Sequence, residues 1–230
     1  MTYDLLIGDR SYSSWSLRGW LLFAAFDIPV RVEVNELYRD GFATTLEAWA
    51  PARSVPVARA ADGALWTDSL AIAEGLAERH PDAGHWPADP RRRALARSIV
   101  AEMHSGYVAL RGACPMNLRV RWRGFAPDDA VRADLARIER LWATARDMAG
   151  DGPWLFGAYS AADVFHAPVA MRIAGYDLPV GAAARAYVEA HLTHPPLRAW
   201  RAEGEARDRT LATYDIGLPT DPFPTFDAAP

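Results

Sequence analysis

The chain has a single cysteine, Cys114, so no intrachain disulfide and no cysteine metal cluster can form. No apolar run approaches the roughly 20 residues that a membrane-spanning helix needs. There is no basic surplus: 25 Lys and Arg face 29 Asp and Glu, a formal net charge of −4. That balance excludes a general binder of nucleic acid or of anionic membranes, both of which need basic surfaces. The opening "MTYDLLIGDR" has no basic segment ahead of its apolar residues and no cleavage-like site, so no secretory signal is read. His191 and His194 have no carboxylate partner at ligand spacing, and no metal is expected. These absences predict a cytoplasmic protein.

What the chain does contain is half hydrophobic, with nine tryptophans. Its first 80 residues alternate strand and helix signals. "YDLLI" (3–7) reads as a strand buried on both faces. Residues 15–26 carry Leu17, Trp20, Leu21 and Ala24 on one helical stripe. "PVRVEV" (29–34) alternates as a half-buried strand, and a loop-rich segment follows. "VPVARA-ADG-ALWT" reads as a hairpin, with Asp62-Gly63 supplying the positive φ angles. "DSLAIAEGLAERHP" is a helix that opens at Asp68 or Ser69 and stops before Pro81. The order is β-α-β, then β-β-α.

Residues 81–90, "PDAGHWPADP", have linker composition, and beyond them the strand signals vanish. Asp89 and Pro90 suit the N-cap and N1 of a long helix whose stripe runs Leu95, Ile99, Met103, Gly106, Leu110. A helix after Pro127 carries Val131, Leu135, Ile138, Trp142 and Ala145 on one face. "AADVFHAPVAMRIAG" is apolar nearly all round and is expected as the central helix of a bundle, with helices near 180–192 and 196–208 completing it. The resulting division is an α/β unit over 1–80, a linker over 81–90, an all-helical unit over 91–212 and a Pro-rich tail over 213–230.

Three motifs stand out. Val55-Pro56 precedes a strand, where proline costs no ladder hydrogen bond; a cis bond there turns the backbone of Val55 outward. Ser160 and Asp163 have the spacing of a capping box, with Tyr159 and Val164 placed as a hydrophobic staple. "SYSSWSLR" (11–18) crowds hydroxyls at a strand-to-helix junction.

Together, "VP" at 55–56, "DS" at 68–69, "HWPADPRRRA" and "WLFGAYSAADVFHAP" (154–168) resemble the cytosolic glutathione S-transferases over roughly residues 3–210. The "YSSWSLR" segment is most similar to the serine-type and zeta-like members. The resemblance implies a thioredoxin-like N-terminal domain followed by an all-α domain, glutathione as co-substrate without a metal, a small electrophilic second substrate, and a homodimer. It also implies glutathione contacts from Val55, Pro56, Asp68 and Ser69. Relatives often carry a long polar residue where Ser54 stands, and Arg53 is the candidate to hold the glycyl end instead. The absent cysteine weighs against omega- and beta-like redox activity.

The chemistry expected of such a site is thiol activation. A free thiol with a pKa near 8.5 is about 3% thiolate at pH 7, and a two-unit drop requires roughly 2.7 kcal/mol of differential stabilisation. A hydroxyl donor with the positive end of the helix beginning near Ser14 can supply it. Three hydroxyls qualify. Counting back from Arg18, as the serine- and cysteine-type relatives align, implies Ser11, while relatives carrying "YSSWSLR" favour Ser13 and Ser14. On the second domain's first helix, His104, Tyr107 and Arg111 are candidates to line the acceptor cleft. The expected activity is addition of the thiolate to a small electrophile. The alternatives are cis-trans isomerisation of the maleylacetoacetate or maleylpyruvate type, or a non-catalytic binding module.

Overall fold

The computed structural model describes residues 2–225. Its N-terminal part contains β1 (Tyr3–Ile7), α1 (Ser14–Ala24), β2 (Arg31–Val34), α2 (Phe42–Glu47), β3 (Val57–Ala60), β4 (Leu65–Trp66) and α3 (Ser69–Arg79). The sheet order is β2-β1-β3-β4. The β1–β2 pair is parallel, Leu5 opposite Val32, and β1–β3 is antiparallel, Leu6 opposite Val57. This is the thioredoxin-like arrangement of the β-α-β and β-β-α order.

Strand β1 shows why the sheet has two covered faces. Leu5 and Ile7 pack into the main core with Leu17, Leu21 and Ile72. Leu6 points the other way and packs with Leu46, Trp49, Val55 and Val57. The segment expected to be loop-rich therefore holds a short helix, α2, which brings Leu46 over that second face. Six residues are too few to show a helical period, so no sequence signal marked it. The hairpin forms as expected, but Gly63 alone carries a positive φ, 91°. Asp62 contributes differently, its carboxylate accepting from Ala64 N–H at 3.1 Å.

The helical part comprises α4 (Pro90–Ser105), α5 (Val108–Ala113), α6 (Asp129–Ala149), α7 (Ala161–Tyr176), α8 (Ala182–Thr193) and α9 (Pro195–Glu205). Asp89 caps α4 by accepting from Arg91 and Arg92 N–H at 3.0 and 2.8 Å. The stripe predicted to run on to Leu110 is interrupted, because Tyr107 takes φ +56° and starts α5 in a new direction. Gly106 permits the break: a Cβ there would lie 2.7 Å from the Glu102 carbonyl oxygen. Every residue of α7 is buried, as its all-round apolarity predicts.

Strands do not end at the linker. β5 (Val120–Trp122) pairs antiparallel with β6 (Thr220–Pro222), which ties the Pro-rich tail to the body, and Phe223 is buried. Two three-residue strands 100 positions apart leave no local pattern. The last five residues of the predicted tail, 226–230, lie outside the described residues. Among the described residues no helix is long and apolar enough to cross a membrane.

One close approach couples helix α1 to the loop before β3. A Cβ on Gly19 would lie 2.6 Å from Pro56 Cβ. We expect Gly19→Ala to push the Val55-Pro56 loop away from α1 and to lower stability by about 1–3 kcal/mol. Denaturant unfolding checks the stability. Retention on immobilised glutathione, expected to weaken, checks the loop.

Candidate functional site

The hydroxyl-rich loop is built from the end of β1. The Asp9 carbonyl accepts from Tyr12 and Ser13 N–H at 3.2 and 2.8 Å, folding residues 9–13 into a turn ahead of α1. Ser13 is the N-cap: its Oγ accepts from Ser16 N–H at 3.2 Å and donates to Ser16 Oγ at 2.8 Å. Ser16 Oγ in turn accepts from Gly8 N–H at 2.8 Å. Ser11 faces elsewhere. Its carbonyl accepts from Leu118 N–H at 2.9 Å, and its Oγ lies where a Cβ on Gly204 of α9 would come within 3.0 Å. Ser14, the first residue of α1, is partly exposed and lines an open cleft. The count from Arg18 thus singles out a hydroxyl packed against α9, and Ser14 is the member of the trio that reaches the cleft. The N–H groups of Ser14 and Trp15 have no acceptor among the described residues. A helix start of this kind favours an anion.

Beside α1, Val55-Pro56 is cis, as is Ala50-Pro51, which the sequence did not flag. No hydrogen bond among the described residues uses the N–H or C=O of Val55. Asp68 caps α3 through one carboxylate oxygen, which accepts from Leu70 N–H at 2.7 Å and Ala71 N–H at 3.4 Å. Its other oxygen lies 3.6 Å from His104 Nε2. Burial lowers the His104 pKa, with Asp68 pulling the opposite way, and this favours the neutral imidazole. The Ser69 Oγ is fully buried and has no hydrogen-bond partner among the described residues. A buried hydroxyl left unpaired is costly and points to a missing acceptor or donor. Arg53 and Ser54 are exposed.

The cleft that Ser14 lines has a volume of about 520 Å³. Its walls are Tyr12, Trp15, Tyr38 and Tyr214, with Met116 at one side and no carboxylate among the lining residues. Arg111 and Arg172 both line it. Arg172 donates through Nε to Cys114 O at 2.8 Å and through Nη1 to Pro168 O at 3.2 Å. Arg111 Nη1 reaches His104 O and Gly106 O at 3.3 and 3.1 Å. Carbonyl oxygens hold both guanidiniums in place without neutralising them. Burial lowers both pKa values, that of Arg172 to about 10, with Arg111 the next contributor there. A third arginine, Arg18, is buried under the Trp15 ring at 3.9 Å, and its Nε and Nη1 find no acceptor among the described residues. Burial, then Arg111 and Arg172, brings its pKa down to about 9. Arg111 and Arg172, two cations with no acid among the described lining residues, make this cleft strongly attractive to an anion. The chain contains no lysine, so each cation offers the planar fork that suits a carboxylate.

Of the residues predicted for the acceptor side, Arg111 lies in the cleft. His104 is one step removed, edge-on to Trp15 with ring centres 5.1 Å apart. Tyr107 is not there: the helix break between α4 and α5 turns it inward, and its hydroxyl donates to Glu102 at 3.0 Å. Arg172, Tyr38 and Tyr214 were missed. An arginine in a helix that is apolar nearly all round is a signal for Arg172, since such a charge is rarely buried without purpose. Nothing local marks Tyr38 or Tyr214.

Residues 12–79 match the family model "Glutathione S-transferase, N-terminal domain". The chain is 31% identical over 164 residues to the maleylacetoacetate isomerase of Pseudomonas aeruginosa, covering 69% of this chain and 76% of that one. It is 36% identical over 97 residues to a probable maleylacetoacetate isomerase of Caenorhabditis elegans, covering 42% of this chain and 44% of that protein. The solved maleylacetoacetate isomerase of Anaeromyxobacter dehalogenans, with bound dicarboxyethyl glutathione and citrate in its active site, shares the fold at TM-score 0.60 and 24% identity. That match covers 95% of this chain and 94% of that one. On the family match and on the extent of the Pseudomonas aeruginosa similarity, joined to the sheet order and the all-helical second part, this chain belongs to the glutathione S-transferase family.

Proposed function

We propose that the protein binds glutathione and adds its thiolate to a small, carboxylate-bearing electrophile. In this reading Val55 pairs with the cysteinyl peptide unit through its unused backbone groups. Ser69 and the start of α3 receive the γ-glutamyl carboxylate, Asp68 takes the ammonium, and Arg53 stands near the glycyl end. Ser14 donates to the thiolate with the N–H groups of the first α1 turn. The observation that carries the proposal is the Ser14 cleft itself, an anion-friendly helix start facing Arg111 and Arg172 with no lining acid. Its acceptor would present a carboxylate to those two guanidiniums and a flat conjugated frame to the tyrosines. A cytoplasmic homodimer is the assembly proposed, on family resemblance.

The same groups support a second reading, glutathione-dependent cis-trans isomerisation, favoured by the arginine pair and by the names of the curated relatives. The thiolate would form a C–S bond to the double bond of an unsaturated keto acid, sending the π electrons to the carbonyl oxygen. Rotation about the resulting single bond and expulsion of the thiolate would restore the double bond in the other geometry, with no net redox change. A merely binding module has less support, since it needs neither a hydroxyl at the helix start nor two unneutralised arginines.

The test pairs a chlorodinitrobenzoate with its methyl ester as acceptors. Wild type should prefer the acid, and Arg111→Gln should raise KM for the acid about ten- to hundredfold while leaving the ester near wild type. Equal use of acid and ester by the wild type would remove the carboxylate from the proposal. Failure to be retained on immobilised glutathione would remove glutathione.

A further inference from the structure

The segment that follows α9 crosses back over the N-terminal part of the fold. There Arg209 forms a largely buried ion pair with the Asp9 carboxylate through Nη1, and its Nη2 donates to the Leu37 carbonyl. The second oxygen of the Asp9 carboxylate accepts from Leu37 N–H at 2.7 Å. The carbonyl of Arg209 accepts from the Tyr12 hydroxyl at 3.1 Å. One arginine thus joins three pieces of chain: the turn that carries the hydroxyls, the loop after β2 that carries Tyr38, and the segment that carries Tyr214. Around it, Arg207 reaches Glu36 at 3.7 Å, and Arg119 donates to Arg207 O at 2.8 Å. The consequence lies five residues on. Tyr214 packs on Tyr12 with ring centres 4.9 Å apart, and both rings line the cleft together with Tyr38.

We propose that Arg209 is a positioning residue for the acceptor cleft: through Asp9 and Leu37 it holds the tyrosine wall of Tyr38 and Tyr214 in register with the hydroxyl turn. The assignment rests on the acceptor reading above. It requires no contact between Arg209 and either substrate, because Arg209 is absent from the cleft lining. The same Asp9 whose carbonyl holds Ser13 N–H also holds Arg209 through its carboxylate. Displacing the arginine therefore loosens the acceptor wall at its root while the Ser13 cap and the α3 N-terminus keep their own bonds.

The experiment is a double-mutant cycle on Arg209→Met and Tyr214→Ala, with Arg209→Lys as the conservative variant. The main readout is the Kd for chlorodinitrobenzoate by tryptophan quenching, which Trp15 in the cleft makes possible without turnover. Retention on immobilised glutathione and thermal midpoint are measured alongside. Arg209→Met and Tyr214→Ala should each weaken benzoate binding about tenfold, and the double variant should be little worse than either, because both remove the same wall. Arg209→Lys should fall between wild type and Arg209→Met, since lysine can meet Asp9 but lacks the fork that also reaches Leu37. Glutathione retention should stay within about twofold of wild type throughout. Additive effects, or an Arg209→Met protein that is less stable yet binds the benzoate as wild type does, would overturn the assignment. A wild type that retains glutathione but does not bind the benzoate would overturn the acceptor reading together with it, and a wild type that binds neither would overturn the glutathione reading as well.

Discussion

Ser14→Ala should lower turnover at pH 7 about three- to twenty-fivefold while glutathione binding changes little. A hydrogen bond to a charged group is worth about 1.5–3 kcal/mol, and the hydroxyl is expected to bond the thiolate far more strongly than the thiol. Its loss should raise the bound-thiol pKa by about one to two units, since each unit is 1.36 kcal/mol. The fall in rate then follows from the smaller thiolate fraction, and raising the pH should partly restore it. Ultraviolet thiolate absorbance against pH, for alanine variants at Ser11, Ser13 and Ser14, checks this. Ser13→Ala removes the cap on Ser16 N–H and should cost about 0.5–2 kcal/mol of stability. Ser11→Ala should do little to the titration, because its hydroxyl faces α9. A titration that moves only in the Ser11 variant would refute the assignment to Ser14.

Asp163→Ala should destabilise the fold by several kcal/mol, since each buried donor left unpaired costs about 1–3 kcal/mol. Asp163 is fully buried. One carboxylate oxygen accepts from Leu155 N–H and the Tyr187 hydroxyl, both at 3.0 Å. The other accepts from Ser160 N–H at 2.9 Å and the Ser160 hydroxyl at 3.0 Å. Removal leaves these donors buried and unpaired, so the cost exceeds that of Ser160→Ala, expected at about 0.5–2 kcal/mol. Burial raises the Asp163 pKa to about 6 against those hydrogen bonds. A carboxyl whose folded pKa lies above its unfolded value contributes stability in full below the unfolded pKa, near 4, and loses it as pH rises through 6. The gap in unfolding free energy between wild type and Asp163→Ala should therefore narrow from pH 4 to pH 7. Taking the difference cancels the buried His166, whose depressed pKa acts the opposite way over the same range. Activity per folded molecule should be unchanged, because Asp163 is absent from the cleft lining.

Local patterns decided much of this molecule in advance. The alternation of strand and helix signals over residues 3–79, the caps at Asp68, Asp89 and Ser160, and the all-round apolarity of α7 each depend on residues a few positions apart. Side-chain period and capping chemistry are short-range properties, so the sequence alone determined the order of the longer elements, while the thioredoxin-like plus helical architecture followed from the family resemblance. The resemblance, rather than any local pattern, placed the hydroxyl-rich helix start beside Val55-Pro56.

Which hydroxyl faces the cleft was settled by contacts across the chain. Ser11 is turned toward α9 because Leu118 binds its carbonyl and the buried Trp200 indole donates to Arg10 O at 2.8 Å, gripping the turn from a distance of 190 residues. Tyr107 left the predicted helix face where α4 breaks. Arg172, Tyr38 and Tyr214 entered the cleft through packing of α7, the loop after β2 and the segment after α9. Short pieces such as α2, β5 and β6 form because they cover a face or find a distant partner, not because their own residues demand it. The sequence by itself set the scaffold and the kind of chemistry at the α1 start. The tertiary structure alone decided the lining of the cleft, because a convergent site depends on distances between residues that local periodicity never relates.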